Sequence, residues 1–167
     1  ITPMVGAEQE YFLVDYPLYN QRLDLKICGR TLFGAKPSKG QELDDHYCGR
    51  IRIRVGEFMQ DLDRNLWEMG IASKTKHNEA APAQLAPEYS TANIACDHNQ
   101  LIMETMRTLS KKHGLACLLH EKPFDHINGS GKHNNYSLCT DTGENLLSPG
   151  KHPEHNLQFL LMLCAFL

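Results

Sequence analysis

The chain has 167 residues, of which 41% are hydrophobic and 22% charged, enough for one globular domain with a sizeable core and unlike the composition of a disordered segment. Seventeen Lys and Arg against twenty Asp and Glu leave a formal charge of −3 with no long run of one sign, which argues against a nucleic-acid partner. Its six cysteines lie far apart with no Cys-x-x-Cys pair, no basic and then apolar leader opens it, and no apolar run approaches the roughly 20 residues of a membrane span, so reduced thiols in a cytoplasmic, membrane-free protein are the expectation.

Thr2 to Val14 alternates as a strand does, and puts Glu8 and Glu10, two residues apart, on one face. Two like charges there call for a divalent cation between them, or for a solvated strand face that screens them. From Asp15 to Gly40 the punctuation by Pro17, Gly29, Gly34, Pro37 and Gly40 predicts loop. Val55, Phe58, Met59, Leu62, Leu66 and Trp67 recur at helical spacing, which predicts a core helix closed by Gly70. Ile71 to Ala83 reads as short alternating and turn-like chain carrying Lys74, Lys76, His77, Asn78 and Glu79. His77 is there either a site residue or a solvated turn histidine.

A second helix is predicted from an N-cap at Asp97 to Gly114, with Lys111 and Lys112 complementing its C-terminal dipole. Leu115 to Leu119 then reads as a buried strand. It delivers the chain to Lys122–Ser137, which is too polar for core and holds Gly129, Gly131, Lys132 and His133. The glycines let backbone N–H groups approach a guest, and the lysines and imidazole suit an anion or a metal, although a polar turn has a similar composition. The last eleven residues are apolar and helix-like, and the chain stops there without a polar residue, glycine or proline, as a truncated segment would.

Carboxylates with one imidazole suit Mg²⁺ or Mn²⁺ better than structural zinc, so metal-assisted phosphate chemistry is the leading class. At these residues the chain resembles glutamine synthetase. Lys122-Pro123-Phe124 followed by Asn128-Gly129-Ser130-Gly131-Lys132-His133 and Ser137 is similar to the family's ATP-binding signature. Gly6-Ala7-Glu8-Gln9-Glu10 and Asn78-Glu79-Ala80-Ala81-Pro82-Ala83-Gln84 are similar to two further catalytic motifs in the same order. Gly29–Ala35 and Thr75–Glu79 look most like the type III subfamily.

The resemblance implies an α+β fold, a curved antiparallel sheet backed by helices, with residues 1–167 forming a truncated part of the catalytic domain that lacks the small N-terminal domain and the C-terminal half. It implies ATP-dependent joining of L-glutamate and ammonium through a γ-glutamyl phosphate, with two divalent ions. Glu10 and Glu79 would be catalytic residues holding the ion by the glutamate and ammonium sites, and Glu8 with His133 would hold the ion on the ATP phosphates. Asn128, Gly129 and Gly131 would contact glutamate, and Lys122, Asn135 and Ser137 would lie on the nucleotide side. A homo-oligomeric ring is the implied assembly. One departure stands out: after Gln84 the family continues with an aromatic or histidine residue and a metal-binding glutamate, whereas Gln84 here runs into Leu85-Ala86-Pro87, leaving Glu88 as the nearest carboxylate. The alternative is therefore a degenerate, non-catalytic remnant that binds nucleotide or divalent metal.

Overall fold

The computed structural model describes residues 1–33, 49–78 and 83–167. In chain order these form β1 (Thr2–Asp15), the short helices α1 (Tyr16–Asn20) and α2 (Leu23–Cys28), α3 (Ile53–Glu68), β2 (Ser73–His77), β3 (Ala83–Pro87), β4 (Ser90–Thr91), α4 (Ala92–Lys112), β5 (Leu115–Leu118), β6 (Lys132–Cys139), a 3₁₀ turn at Pro153–His155 and α5 (Leu157–Phe166).

β1 is the frame. It pairs antiparallel with β3 through Gln9–Tyr11 and with β4 through Met4 and Val5, and on its other edge with β6 through Thr2–Gln9. β5 takes up Phe12–Asp15, and β2 lies outside β3. One face of this sheet is covered by α3 and α4: Tyr11, Ala83 and Leu85 from the strands pack with Phe58, Met59, Leu62 and Leu66 of α3 and Ile102, Met106 and Leu109 of α4. This is the α+β arrangement the sequence predicts, an antiparallel sheet with helices.

The helices stop where their glycines stop them. Gly70 takes the left-handed conformation at φ 78°, the Gly70 N–H donates to the Trp67 carbonyl at 3.0 Å, and the Ile71 N–H donates to the Leu66 carbonyl at 2.8 Å. These are the paired bonds of a Schellman cap, and Ile71 and Leu66 both lie in the core beside it. Gly114, at φ 67°, ends α4 in the same conformation and turns the chain into β5.

Four expectations need correction. α4 begins at Ala92, five residues before Asp97, because its first turn already buries Ala95 against the core side. Trp67 is 63% exposed and stands at the edge of the apolar stripe of α3. The stretch after Asp15, expected as loop, contains α1 and α2, held by Leu25 in a small second core with Phe12, Leu118 and Phe124. Finally the ligand loop ends at Gly131, and residues from Lys132 onward form β6. Gly34, Pro37, Gly40, Cys48 and Glu79 lie outside the described residues. The five described cysteines are all free.

Candidate functional site

Strand alternation divides β1. Gln9 and Tyr11 go under the helices, so Glu8 and Glu10 stand on the opposite, open face. Directly paired residues share a face, and the register pairs Glu8 with His133, Gly6 with Asn135, and Glu10 with Gln84, which in turn pairs with His77. Residues from three strands and 125 positions apart in sequence thus meet around two carboxylates.

The Glu8 carboxylate is held from three sides. His133 Nδ1 lies 2.9 Å from its Oε2, the Gln84 Nε2 amide donates to the same oxygen, and Asn135 Nδ2 donates to Oε1 at 2.8 Å. Glu10 is held by the loop: Gly131 N–H donates to its Oε2 at 3.3 Å, and its own backbone N–H donates to the Gly131 carbonyl at 3.2 Å. Gln84 is only 1% exposed, and its Oε1 has no hydrogen-bond partner among the described residues. A buried oxygen left so costs about 1–3 kcal/mol unless a donor or cation meets it.

The loop before β6 is closed on itself and pinned to the small core. Phe124 is buried and meets Phe12 edge-on with ring centroids 5.2 Å apart. Thr31 N–H donates to the Pro123 carbonyl at 2.8 Å, and Ser130 N–H donates to the Glu121 carbonyl at 3.0 Å. A Cβ on Gly129 would stand 1.7 Å from the Glu121 carbonyl oxygen, so the chain's own backbone demands glycine there. At Gly131 a Cβ would meet nothing within 4 Å, and the space beside it is open.

The residues singled out from sequence are therefore distributed unevenly. Glu8, Glu10, His133 and Asn135 converge on one face, with Gly131 at its rim. Lys122 turns inward to its own loop, where its Nζ donates to the Ile127 carbonyl, and Asn128 sits in the same loop. Ser137 lies opposite Met4, four residues beyond His133 and hence about 13 Å along the strand. Glu88 pairs with Lys74 at 3.7 Å. His77 is half-buried at the end of β2 and belongs to the same face by register. Gln84 is the residue that sequence reasoning leaves without a role, and only its pairing opposite Glu10 gives it one.

Two carboxylates, an imidazole and a buried, unpartnered amide oxygen are hard or borderline donors, a set that fits Mg²⁺ or Mn²⁺ and not a thiophilic metal. Among the described residues no three His, Cys, Asp or Glu side chains converge tightly enough to hold a metal by themselves. Any further carboxylate has to come from outside them. No helix among the described residues is long and apolar enough to cross a membrane.

Residues 1–162 match the family described as glutamine synthetase, catalytic domain. The chain is 59% identical over 167 residues to a glutamine synthetase of Butyrivibrio fibrisolvens, covering 99% of this chain and 24% of that protein. It is 52% identical over 169 residues to the type-3 glutamine synthetase of Dictyostelium discoideum, covering 100% and 23%. Thus it spans about a quarter of the length of these relatives. Among solved structures, apo GmaS without ligand superposes with a TM-score of 0.67 at 19% identity over 90% of this chain and 33% of that one. The Plasmodium falciparum glutamine synthetase gives 0.65 at 17% identity over 87% and 32%. Those two show the fold, and the family match and the two relatives at high identity show the lineage: this chain belongs to the glutamine synthetase family, beside its type III members, and carries part of the catalytic domain.

Proposed function

We propose that this chain supplies part of the site at which a glutamine synthetase joins glutamate and ammonium at the expense of ATP, through a γ-glutamyl phosphate. The observation that carries the reading is the pairing of Glu8 with His133 across β1 and β6, beside Glu10 and ahead of a glycine loop pinned at both ends. Glu8 and His133 hold the divalent ion on the ATP phosphates, and Glu10 with Glu79 holds the ion nearer glutamate and ammonium. When bound, Mg²⁺ or Mn²⁺ supplies the neutralisation of charge on the transferring phosphoryl group.

The chain's own part is positioning. Gly131 N–H fixes the rotamer of Glu10, and Asn135 and Gln84 fix that of Glu8, so both carboxylates are oriented before a ligand arrives. Asn128, Gly129 and Gly131 line the glutamate side and Lys122, Asn135 and Ser137 the nucleotide side, as the family motif implies. Residues 1–167 then act as a portion of the catalytic domain within a homo-oligomeric ring in the cytoplasm, and alone have impaired activity.

A second reading, a non-catalytic remnant that binds nucleotide or divalent metal, draws on one observation: Glu88 is engaged by Lys74 and does not replace the glutamate expected after Gln84. Calorimetry with Mn²⁺ and a non-hydrolysable ATP analogue separates binding from none, and formation of γ-glutamyl hydroxamate from ATP, glutamate and hydroxylamine reads catalysis. Heat of binding for Mn²⁺ and the analogue, with hydroxamate formed slowly or only with the rest of the catalytic domain present, supports the proposal. Binding of neither ligand overturns both readings.

A further inference from the structure

The site on the open face contains one residue whose part is unassigned. Gln84 is directly opposite Glu10 in the β1–β3 register, and paired side chains start within about 5 Å of each other. Its amide nitrogen donates to Glu8 Oε2. The oxygen of that same planar group, about 2.3 Å from the nitrogen by covalent geometry, has no partner among the described residues, although the residue is 1% exposed. Buried amides almost always use both ends. Here one end is spent on orienting a carboxylate and the other, on a residue paired directly opposite Glu10, meets no hydrogen-bond donor among the described residues. What an acceptor-only oxygen on a face with two carboxylates can take is a cation.

We propose that Gln84 is a direct oxygen donor to the divalent cation assigned to Glu10, its amide nitrogen holding Glu8 in place while its carbonyl oxygen adds a ligand. This rests on the metal reading of the site given above. It also explains how the face manages with two carboxylates: a neutral oxygen adds a ligand without adding a third like charge, which a hard cation accepts readily from an amide. The backbone supports the role, because β3 is clamped between β1 and β2 and Gln84 is paired on both sides, to Glu10 and to His77.

The test is a Mn²⁺ titration of the full chain followed by electron paramagnetic resonance, with the broadening of the His133 and Asn135 NMR signals locating the bound ion. Gln84→Met keeps the volume and removes both polar ends; the expected result is Mn²⁺ binding weakened about 10-fold to 100-fold with an unchanged circular dichroism spectrum. If wild type binds Mn²⁺ at this face and Gln84→Met binds it equally well, the inference falls and the metal site stands. Because Gln84→Met also releases Glu8, ¹³C electron–nuclear double resonance of the bound Mn²⁺ in protein labelled at the glutamine Cδ decides whether the oxygen is a ligand: a contact hyperfine coupling from Gln84 is expected, and its absence with Mn²⁺ bound at this face overturns the inference. Absence of any broadening at His133 and Asn135 in wild type would instead remove the metal reading on which it rests.

Discussion

On the covered face of β1, Tyr11 is sealed under Phe58 and α4 and burial pushes its hydroxyl far above the usual phenol range, whereas three positions and one position before it on the strand, Glu8 and Glu10 stand in a polar, open setting with donors arranged around them. One strand thus has a face built by exclusion of water and a face built by hydrogen bonds. The covered face accounts for stability, since it contains most of the large buried side chains. The open face holds the polar cluster of Glu8, Glu10, His133 and Asn135, whose geometry is inherited from backbone pairing that the other face secures.

The largest effect expected from breaking this division is on the covered side. Phe58 is fully buried against Tyr11 and His113, so Phe58→Ala should cost about 3–5 kcal/mol by loss of contacts and creation of a cavity. Glu8→Gln, across the sheet, should stay within about 0.5 kcal/mol of wild type. Urea denaturation of both variants checks this; equal destabilisation would mean that the faces are not independent.

A smaller effect is expected where the open face borrows from packing. Gly129→Ala drives a Cβ into the Glu121 carbonyl oxygen, which the loop can relieve only by giving up the Ser130–Glu121 bond, at roughly 1–3 kcal/mol. Because Gly131 carries the loop's contacts to Glu10, the same change should also weaken Mn²⁺ binding, a coupling that thermal melting and calorimetry together would reveal. Smaller again is Glu10→Gln, expected to lower Mn²⁺ affinity about tenfold by removing a charge from the donor set while leaving the melting temperature unchanged. Unchanged affinity in that variant would exclude Glu10 as a ligand.

Much of this division is legible in the sequence, for definite reasons. The apolar residues of α3 recur at helical spacing and end at a glycine, so both the helix and its cap could be read locally. Glu8, Glu10 and His133 were legible because they sit in a motif with fixed spacing. What could not be read depends on partners far away in the chain. β6 begins Lys132-His133-Asn134-Asn135, a run with no strand preference of its own, and becomes a strand because β1 offers it eight paired positions. α1 and α2 are too short to form by themselves and exist because Leu25 closes the small core with Phe12 and Phe124. Asp97 looks like a helix start, yet α4 begins earlier, directly after β4 ends at Thr91, with no side-chain cap at all. Gln84 and Asn135 turn toward Glu8 only through cross-strand register, which a motif does not display. Strand alternation sends Leu85 into the core and leaves Gln84 on the open face opposite Glu10.

The smallest effect concerns how the two small helices steady the loop. Asp24 accepts from Arg22 Nε at 2.9 Å, from the Leu32 N–H at 2.9 Å and from the Leu25 N–H at 3.0 Å. The Arg22 guanidinium first, and then these backbone donors, hold its carboxyl well below the usual carboxylate range. A group whose folded pKa is depressed adds stability that is present above its unfolded pKa, about 4, and that is lost as pH falls through the lower folded value. The turn it fixes ends at Thr31, which bonds the Pro123 carbonyl at the root of the loop. Acidification below pH 4 should therefore loosen the Thr31 and Leu32 amides before the core of α3 and α4 responds, and Asp24→Asn should produce the same loosening at neutral pH. Hydrogen exchange read residue by residue tests this: faster exchange confined to Thr31, Leu32 and the loop is expected, whereas faster exchange in Leu62 or Ile102 would show that the open face and the covered core unfold as one.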